Sequence, residues 1–204
     1  MKLYLIRHGQ TDWNLAGRIQ GRQDVPLNET GLCQARCLAR GMKGRPVTAI
    51  YASPQKRAFQ TAQAVGDSQG VSVTPLDDLM EIGYGRWEGR TGEDILKKDR
   101  ELYEAWWEHP ATVAPPGGET LNQVDERCRK AWDYIRGRMA GDTAVVSHGG
   151  TLAHLLVLLL AGGSDDLEEV VGNASITTLE YDPDRGKCRL VELNDRRHLD
   201  KDLL

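Results

Sequence analysis

The sequence predicts a three-layer α/β/α sandwich built around a mostly parallel central sheet. Two observations lead there. Short apolar runs bounded by turn residues alternate along the chain with longer segments whose apolar residues recur every three or four positions. Chains that alternate strand with helix in this way bury a parallel sheet between two helical layers.

Residues 2–7 read as the first strand and run into Arg7-His8-Gly9. Thr30 reads as the cap of a helix whose apolar face is Leu32, Ala35, Ala39 and Met42. A strand over 48–52 follows. Ser53-Pro54 then reads as a cap with proline in the first helical turn, opening a helix to about Ser68. Over 120–140, Leu121, Val124, Cys128, Ala131, Ile135 and Met139 mark a strongly amphipathic helix. TAVVS at 143–147 is the next strand, and a further helix is expected after Gly150. Strands at 176–181 and 188–193 are joined by an Asp-Pro-Asp-Arg-Gly turn. Between these, 83–118 holds Trp87, Trp106, Trp107 and the Pro115-Pro116-Gly117-Gly118 turn. It reads as a long surface excursion, of the kind that forms lids and substrate pockets.

The 204 residues are 40% hydrophobic and 27% charged, and their length suits a single domain over 1–204. A net charge of −4 gives no basic excess for binding nucleic acid or an acidic membrane. The opening MKLYLIRHG is charged too soon to resemble a signal peptide. The longest apolar run, 152–161, contains His154 and falls short of the ~20 residues that span a bilayer. It is expected to be a core helix. Cys33, Cys37, Cys128 and Cys188 form no CxxC pair and read as free thiols in a reducing cytoplasm.

Chemistry concentrates where strands end. In open α/β sheets, ligands bind beyond the carboxyl ends of the strands. Arg7 and His8 follow the first strand, and Arg57 lies in the first turn of the helix after the second. His148, followed by Gly149-Gly150, follows TAVVS. Guanidinium groups suit phosphoryl oxygens because they stay protonated and donate two parallel hydrogen bonds. A neutral imidazole is a competent nucleophile, and a helix N-terminus offers unpaired N–H groups to an anion. The residues alone leave open which histidine would attack.

Leu5-Ile6-Arg7-His8-Gly9-Gln10-Thr11-Asp12-Trp13-Asn14 resembles the opening signature of the histidine phosphatase superfamily, the phosphoglycerate-mutase-like enzymes. The resemblance continues through Arg18-Ile19-Gln20-Gly21, Tyr51-Ala52-Ser53-Pro54, Arg57-Ala58 and Glu81-Ile82. It extends to Gly85-Arg86-Trp87-Glu88-Gly89, Pro116-Gly117-Gly118-Glu119 and Val146-Ser147-His148-Gly149-Gly150, in the family's order. It implies the phosphoglycerate-mutase-like fold and a phosphohistidine formed on His8. Arg7, Arg57 and His148 would bind the phosphoryl oxygens, and Glu81 would protonate the leaving oxygen and then activate water. Asn14, Gln20 and the Gly149 N–H would add phosphate contacts. A carboxyl group serves as general acid when burial keeps it protonated near the working pH, and Leu79-Met80 and Ile82 flank Glu81. Glu88 is the substitute if Glu81 points away.

The resemblance implies a cytoplasmic phosphatase of a small phosphorylated metabolite, with no cofactor, no metal, and a homodimer as one possible assembly. Mutases of the family carry a longer basic insertion after the Glu81 position; here that stretch is short and contains Trp87-Glu88-Gly89, which favours the phosphatase branch, including broad-specificity and α-ribazole phosphatases. A metallohydrolase using His8, His148 and Glu81 would set Arg7 and Arg57 beside a cation, at high electrostatic cost. A non-catalytic phospho-ligand module is disfavoured because Arg7, His8, Arg57, Glu81 and His148 are all present. His154 reads as a satisfied core or pocket-edge residue, and His109 and His198 as surface. Trp87, Trp106 and Trp107 read equally as pocket wall or core, and Asp165-Asp166 with Glu168-Glu169 as a solvated loop. The substrate is not legible in the sequence.

Overall fold

The structure, a computed structural model, describes residues 1–160 and 171–203. The acidic pairs Asp165-Asp166 and Glu168-Glu169 lie outside the described residues. In chain order the elements are β1 (Lys2–Arg7), α1 (Asp12–Leu15), α2 (Glu29–Gly41), β2 (Ala49–Ala52), α3 (Lys56–Gln69) and β3 (Val73–Pro75). Then come α4 (Gly92–Lys98), α5 (Arg100–Glu108), α6 (Leu121–Arg136), β4 (Thr143–Ser147), α7 (Gly149–Leu159), β5 (Ile176–Asp182) and β6 (Lys187–Asp195).

The six strands form one sheet in the order β3-β2-β4-β1-β5-β6. The first four are parallel to one another; β5 pairs antiparallel with β1 on one side and with β6 on the other. The two-residue period of a strand divides its side chains between opposite faces. Leu3 and Leu5 of β1, with Val145 of β4, pack on Val124 and Cys128 of α6 and Leu152 and Leu155 of α7. Tyr4 and Ile6, with Ala144 and Val146, pack instead on Leu38 of α2 and Ala58, Ala62 and Val65 of α3. Both faces are covered, so the strands read as continuous apolar runs. That is the sandwich expected from the sequence.

Local details differ from the sequence expectation, each for an identifiable reason. The α2 cap is Asn28, whose side chain accepts from the Gly31 N–H at 2.8 Å, so the helix starts ahead of Thr30. Its inward face is carried by Gly31, Ala35, Leu38 and Met42, which leaves Leu32 one step round the helix and 40% exposed. Ser53 does not cap α3. The helix begins at Lys56, and the Ser53 hydroxyl is engaged by His148 instead. Proline at 54 holds Ser53 extended and out of the helix. The α6 cap is Thr120, which forms a reciprocal capping box with Gln123. That helix stops at Arg136, before Met139. The start of α7 is Gly149, with His148 at its cap position. Short β3 was not expected; its Pro75 is tolerated because the strand lies at the sheet edge.

All four cysteines are free. Among the described residues no helix is long and apolar enough to cross a membrane. Segment 83–118 contains α4 and α5, which the sequence patterning did not reveal. Gly85 starts this segment with φ of +52°, and a Cβ there would lie 2.2 Å from the Pro116 carbonyl. Glycine is therefore required where the segment's two ends meet.

Leu38→Ala is expected to cost about 2–5 kcal/mol, as for other fully buried leucines. Leu32→Ala is expected to stay within about 0.5 kcal/mol because the side chain already faces water. Urea denaturation of both variants checks the assignment; equal losses would mean the inward face of α2 is wrong.

Candidate active site

Parallel pairing aligns the carboxyl ends of three neighbouring strands. Arg7 of β1 lies opposite Ser147 of β4, and Ala52 of β2 lies opposite Val146. The His8 N–H donates to the Ser147 carbonyl at 3.0 Å, and the Ser53 N–H donates to the Val146 carbonyl at 3.0 Å. The residues just past these strands, His8, His148 and Ser53, are thereby held side by side. A cavity of about 280 Å³ opens above them, and Arg7, His8, Asn14, Gln20, Arg57 and Glu81 all line it. His148 is fully buried behind this lining, its ring edge-to-face with His8 at 5.1 Å between centroids.

Hydrogen bonding assigns the tautomer of each imidazole. His8 Nδ1 lies 2.6 Å from the Gly9 carbonyl oxygen. A carbonyl can only accept, so Nδ1 carries the proton and Nε2 keeps its lone pair. For His148 the assignment reverses. The Arg57 Nε–H donates to His148 Nδ1 at 3.2 Å, and His148 Nε2 is 2.8 Å from Ser53 Oγ. A guanidinium has no acceptor, so Nδ1 accepts and Nε2–H donates to the serine.

Both rings are uncharged. Burial pushes the His8 pKa well below 6.5, and the charges of Arg7 and then Arg57 lower it further; the Gly9 hydrogen bond opposes them weakly. Burial also dominates for His148, followed by His8 and Arg57. The arginines remain cations: burial lowers Arg57 only to about 10, with Glu81 opposing. Arg57 is anchored through Nη1 to the Gln23 carbonyl at 2.7 Å and Nη2 to the Gly21 carbonyl at 2.9 Å. Arg7 donates through Nη1 to the Val171 carbonyl, whereas its buried Nε has no partner among the described residues. An orphaned buried N–H on a cation beside a cavity is a donor waiting for an anion.

Glu81 sits against the N-terminus of α7. Its carboxylate accepts from the N–H groups of Ile82 at 2.9 Å, Thr151 at 3.1 Å and Gly150 at 3.3 Å, while the Thr151 hydroxyl donates to the Met80 carbonyl at 2.7 Å. A Cβ at Gly150 would lie 2.9 Å from Glu81 Oε1 and 2.7 Å from Ile82, so glycine permits this approach. Gly149 is the first residue of α7, where the backbone N–H has no partner within the helix. Asn14 spends its Oδ1 on the Thr11 N–H at 3.1 Å, leaving its amide NH₂ to offer the cavity. Gln20 is buried with its Oε1 unpaired.

Other residues fall into supporting roles. Glu88, the substitute acid, is occupied by the Arg22 and Tyr84 N–H groups and the Gln23 amide, and it does not line the cavity. His154 pairs with Asp125 at 2.6 Å, and His109 is exposed. His198 is not a surface residue: its ring is half-buried and Nε2 meets the Ala174 carbonyl at 2.9 Å. Trp87, Trp106 and Trp107 all line the cavity, with Trp87 also fully buried. Sequence reasoning missed Ser53, the partner of His148, and Gln55. The Gln55 side chain accepts from the Glu81 N–H at 2.8 Å and donates to the Gly21 carbonyl at 2.9 Å. Both residues flank the Pro54 and Arg57 that were singled out, but their partners are remote in sequence and gave no local signal.

Known proteins are similar to this chain over most of its length. Phosphoserine phosphatase 1 of Hydrogenobacter thermophilus is 36% identical over 146 residues, 72% of this chain and 69% of that relative. The solved structure of the alpha-ribazole phosphatase from Shigella flexneri superposes with a TM-score of 0.87 at 26% identity, covering 96% of this chain and 97% of its own. A mycobacterial glucosyl-3-phosphoglycerate phosphatase matches with a TM-score of 0.83 at 32% identity, covering 95% and 98%. The family model for the histidine phosphatase superfamily, branch 1, matches residues 3–196. With its two neutral imidazoles set beside the half-buried Arg7 and the buried Arg57 at the ends of parallel strands, this chain belongs to the histidine phosphatase superfamily.

Proposed function

We propose that the protein hydrolyses a small phosphomonoester through a phosphohistidine on His8. One observation carries the reading: His8 donates its Nδ1 proton to the Gly9 carbonyl, leaving a neutral Nε2 lone pair in a cavity shared with two guanidinium groups. That is what nucleophilic attack on an anionic phosphorus centre requires.

In the first step Nε2 attacks phosphorus and the ester oxygen departs. Arg7, Arg57 and the Gly149 N–H take the three outer oxygens, with Asn14 and Gln20 as further polar contacts. Fixed donors in a dry site stabilise developing charge without having to reorganise. His148, accepting at Nδ1 from Arg57 and donating from Nε2 to Ser53, holds the Arg57 guanidinium in place. Glu81 gives its proton to the leaving oxygen and recovers one from the water that splits the N–P bond, releasing inorganic phosphate and free His8. A metal held by His8, His148 and Glu81 is disfavoured because both nitrogens of His148 are already engaged. Phosphatase-named relatives support hydrolysis over phosphate transfer between sugars or acids, and the active protein is read as cytoplasmic.

His8→Ala is expected to lower kcat by at least about 10³-fold and to abolish the covalent phosphoenzyme. Quench-labelling with ³²P substrate at alkaline pH measures it; acid-labile phosphate retained on the variant would refute the role. The lowered His8 pKa predicts a pH profile as well. Nε2 stays unprotonated below 6.5, so the acid limb of kcat/KM, corrected for the substrate's own ionisation near about 6, should lie below pH 6.5. A half-maximal point at 6.5 would contradict it. Folding stability follows the same shift. Two imidazoles buried uncharged contribute fully above about 6.5, and that contribution is lost progressively as pH falls towards their lower folded values.

A further inference from the structure

On the phosphatase reading above, we infer that the natural leaving group carries a flat ring, which the cavity receives against an aromatic wall on α5. Tyr103, Trp106 and Trp107 recur at i, i+3 and i+4, so they share one face of the helix. An amphipathic helix normally buries such a face in the core. This one does not: α5 has no buried residue, and all three rings line the cavity that holds His8 and Arg57. The stripe faces the place where the ester's organic part must lie.

The wall is rigid because it is braced from below. Fully buried Trp87 meets Trp106 edge-on at 5.6 Å and Tyr103 at 5.6 Å between centroids. Tyr103 and Trp107 lie nearly parallel, at 6.3 Å and 21°. Flat rings favour offset-stacked and edge-on partners, and both geometries are presented here. The cavity's volume of about 280 Å³ accommodates a phosphoryl group with a ring-sized substituent.

Charge argues against an amino acid phosphate. Among the described residues, the charged side chains lining the cavity are Arg7, Arg18, Arg57 and Glu81. The single carboxylate is already bound to the N–H groups of Gly150 and Thr151. With Arg7 and Arg57 taken up by the phosphoryl group, an α-ammonium group entering the cavity would find, among the described residues, Arg18 and no free carboxylate, which is unfavourable. A neutral ring meets no such cost.

The test compares 2-phenylethyl phosphate with n-propyl phosphate, whose primary alkoxide leaving groups react alike, and adds phosphoserine. The ring ester is expected to show kcat/KM about tenfold or more above the propyl ester, mostly through KM. Phosphoserine should fall below the ring ester. Trp107 is 69% exposed, so its removal spares the core. Trp107→Ala should bring the ring-to-propyl ratio down towards one, and Trp107→Phe should restore most of it. Equal values for the two esters, phosphoserine matching the ring ester, or a ratio unmoved by Trp107→Ala would each overturn the inference while leaving the phosphatase reading intact. If no ester is turned over, that reading fails instead. Calorimetric affinities of the two esters for the protein then decide the ring preference: tighter binding of the ring ester upholds it and equal binding overturns it.

Discussion

The site depends on the parallel hydrogen-bond ladder joining β2, β4 and β1. Because these strands run the same way and are in register, their carboxyl ends finish at one level. The side chains that follow each strand then project from neighbouring points on one rim. A slip of one residue in β1 would move Leu3 and Leu5 to the wrong face and displace His8 from the Ser147 carbonyl. The apolar alternation that specifies the register therefore also specifies the site. Packing and chemistry are set by one constraint.

Burying two arginines and two histidines together is tolerable because each charge and each nitrogen has a defined environment. Desolvation favours neutral imidazoles, and the neighbouring cations push the same way. Arg57, with no exposed surface, would cost several kcal/mol if unpaired, but backbone carbonyls of Gly21 and Gln23 and the Nδ1 lone pair of His148 accept its protons. Arg7 keeps one buried N–H without an acceptor among the described residues. That spare donor on a cation is one that an incoming phosphoryl oxygen satisfies.

Loops that share no sequence proximity are locked around this rim by a few carboxylates and amides. Glu88 joins the Arg22 and Tyr84 backbones. Glu119 bridges Arg22 and Arg127 while accepting from the Gly83 N–H at 2.7 Å. Gln55 ties the Glu81 backbone to Gly21. These ties hold the general-acid candidate, the Arg57 carbonyl cradle and the entrance to segment 83–118 in fixed relation. Pre-organisation of that kind lowers the entropy cost of bringing acid, nucleophile and anion clamp together.

The amino-acid sequence by itself determined the layered architecture, because strand and helix periods are local properties of neighbouring residues. It also carried Arg7, His8, Arg57, Glu81 and His148, through motif resemblance and their placement after strands. Only the tertiary structure decided the tautomers, since they depend on acceptors remote in the chain, such as Ser53 beside His148, 95 residues away. It alone showed that Ser53 serves a histidine and not a helix end, that Glu88 is structural, and that His198 is half-buried. The helices within 83–118 escaped notice because α5 has its apolar stripe turned to a cavity and its aromatic residues suit core or pocket equally. Whether such a face meets protein or ligand is settled by what lies across from it, and no local pattern of residues encodes that.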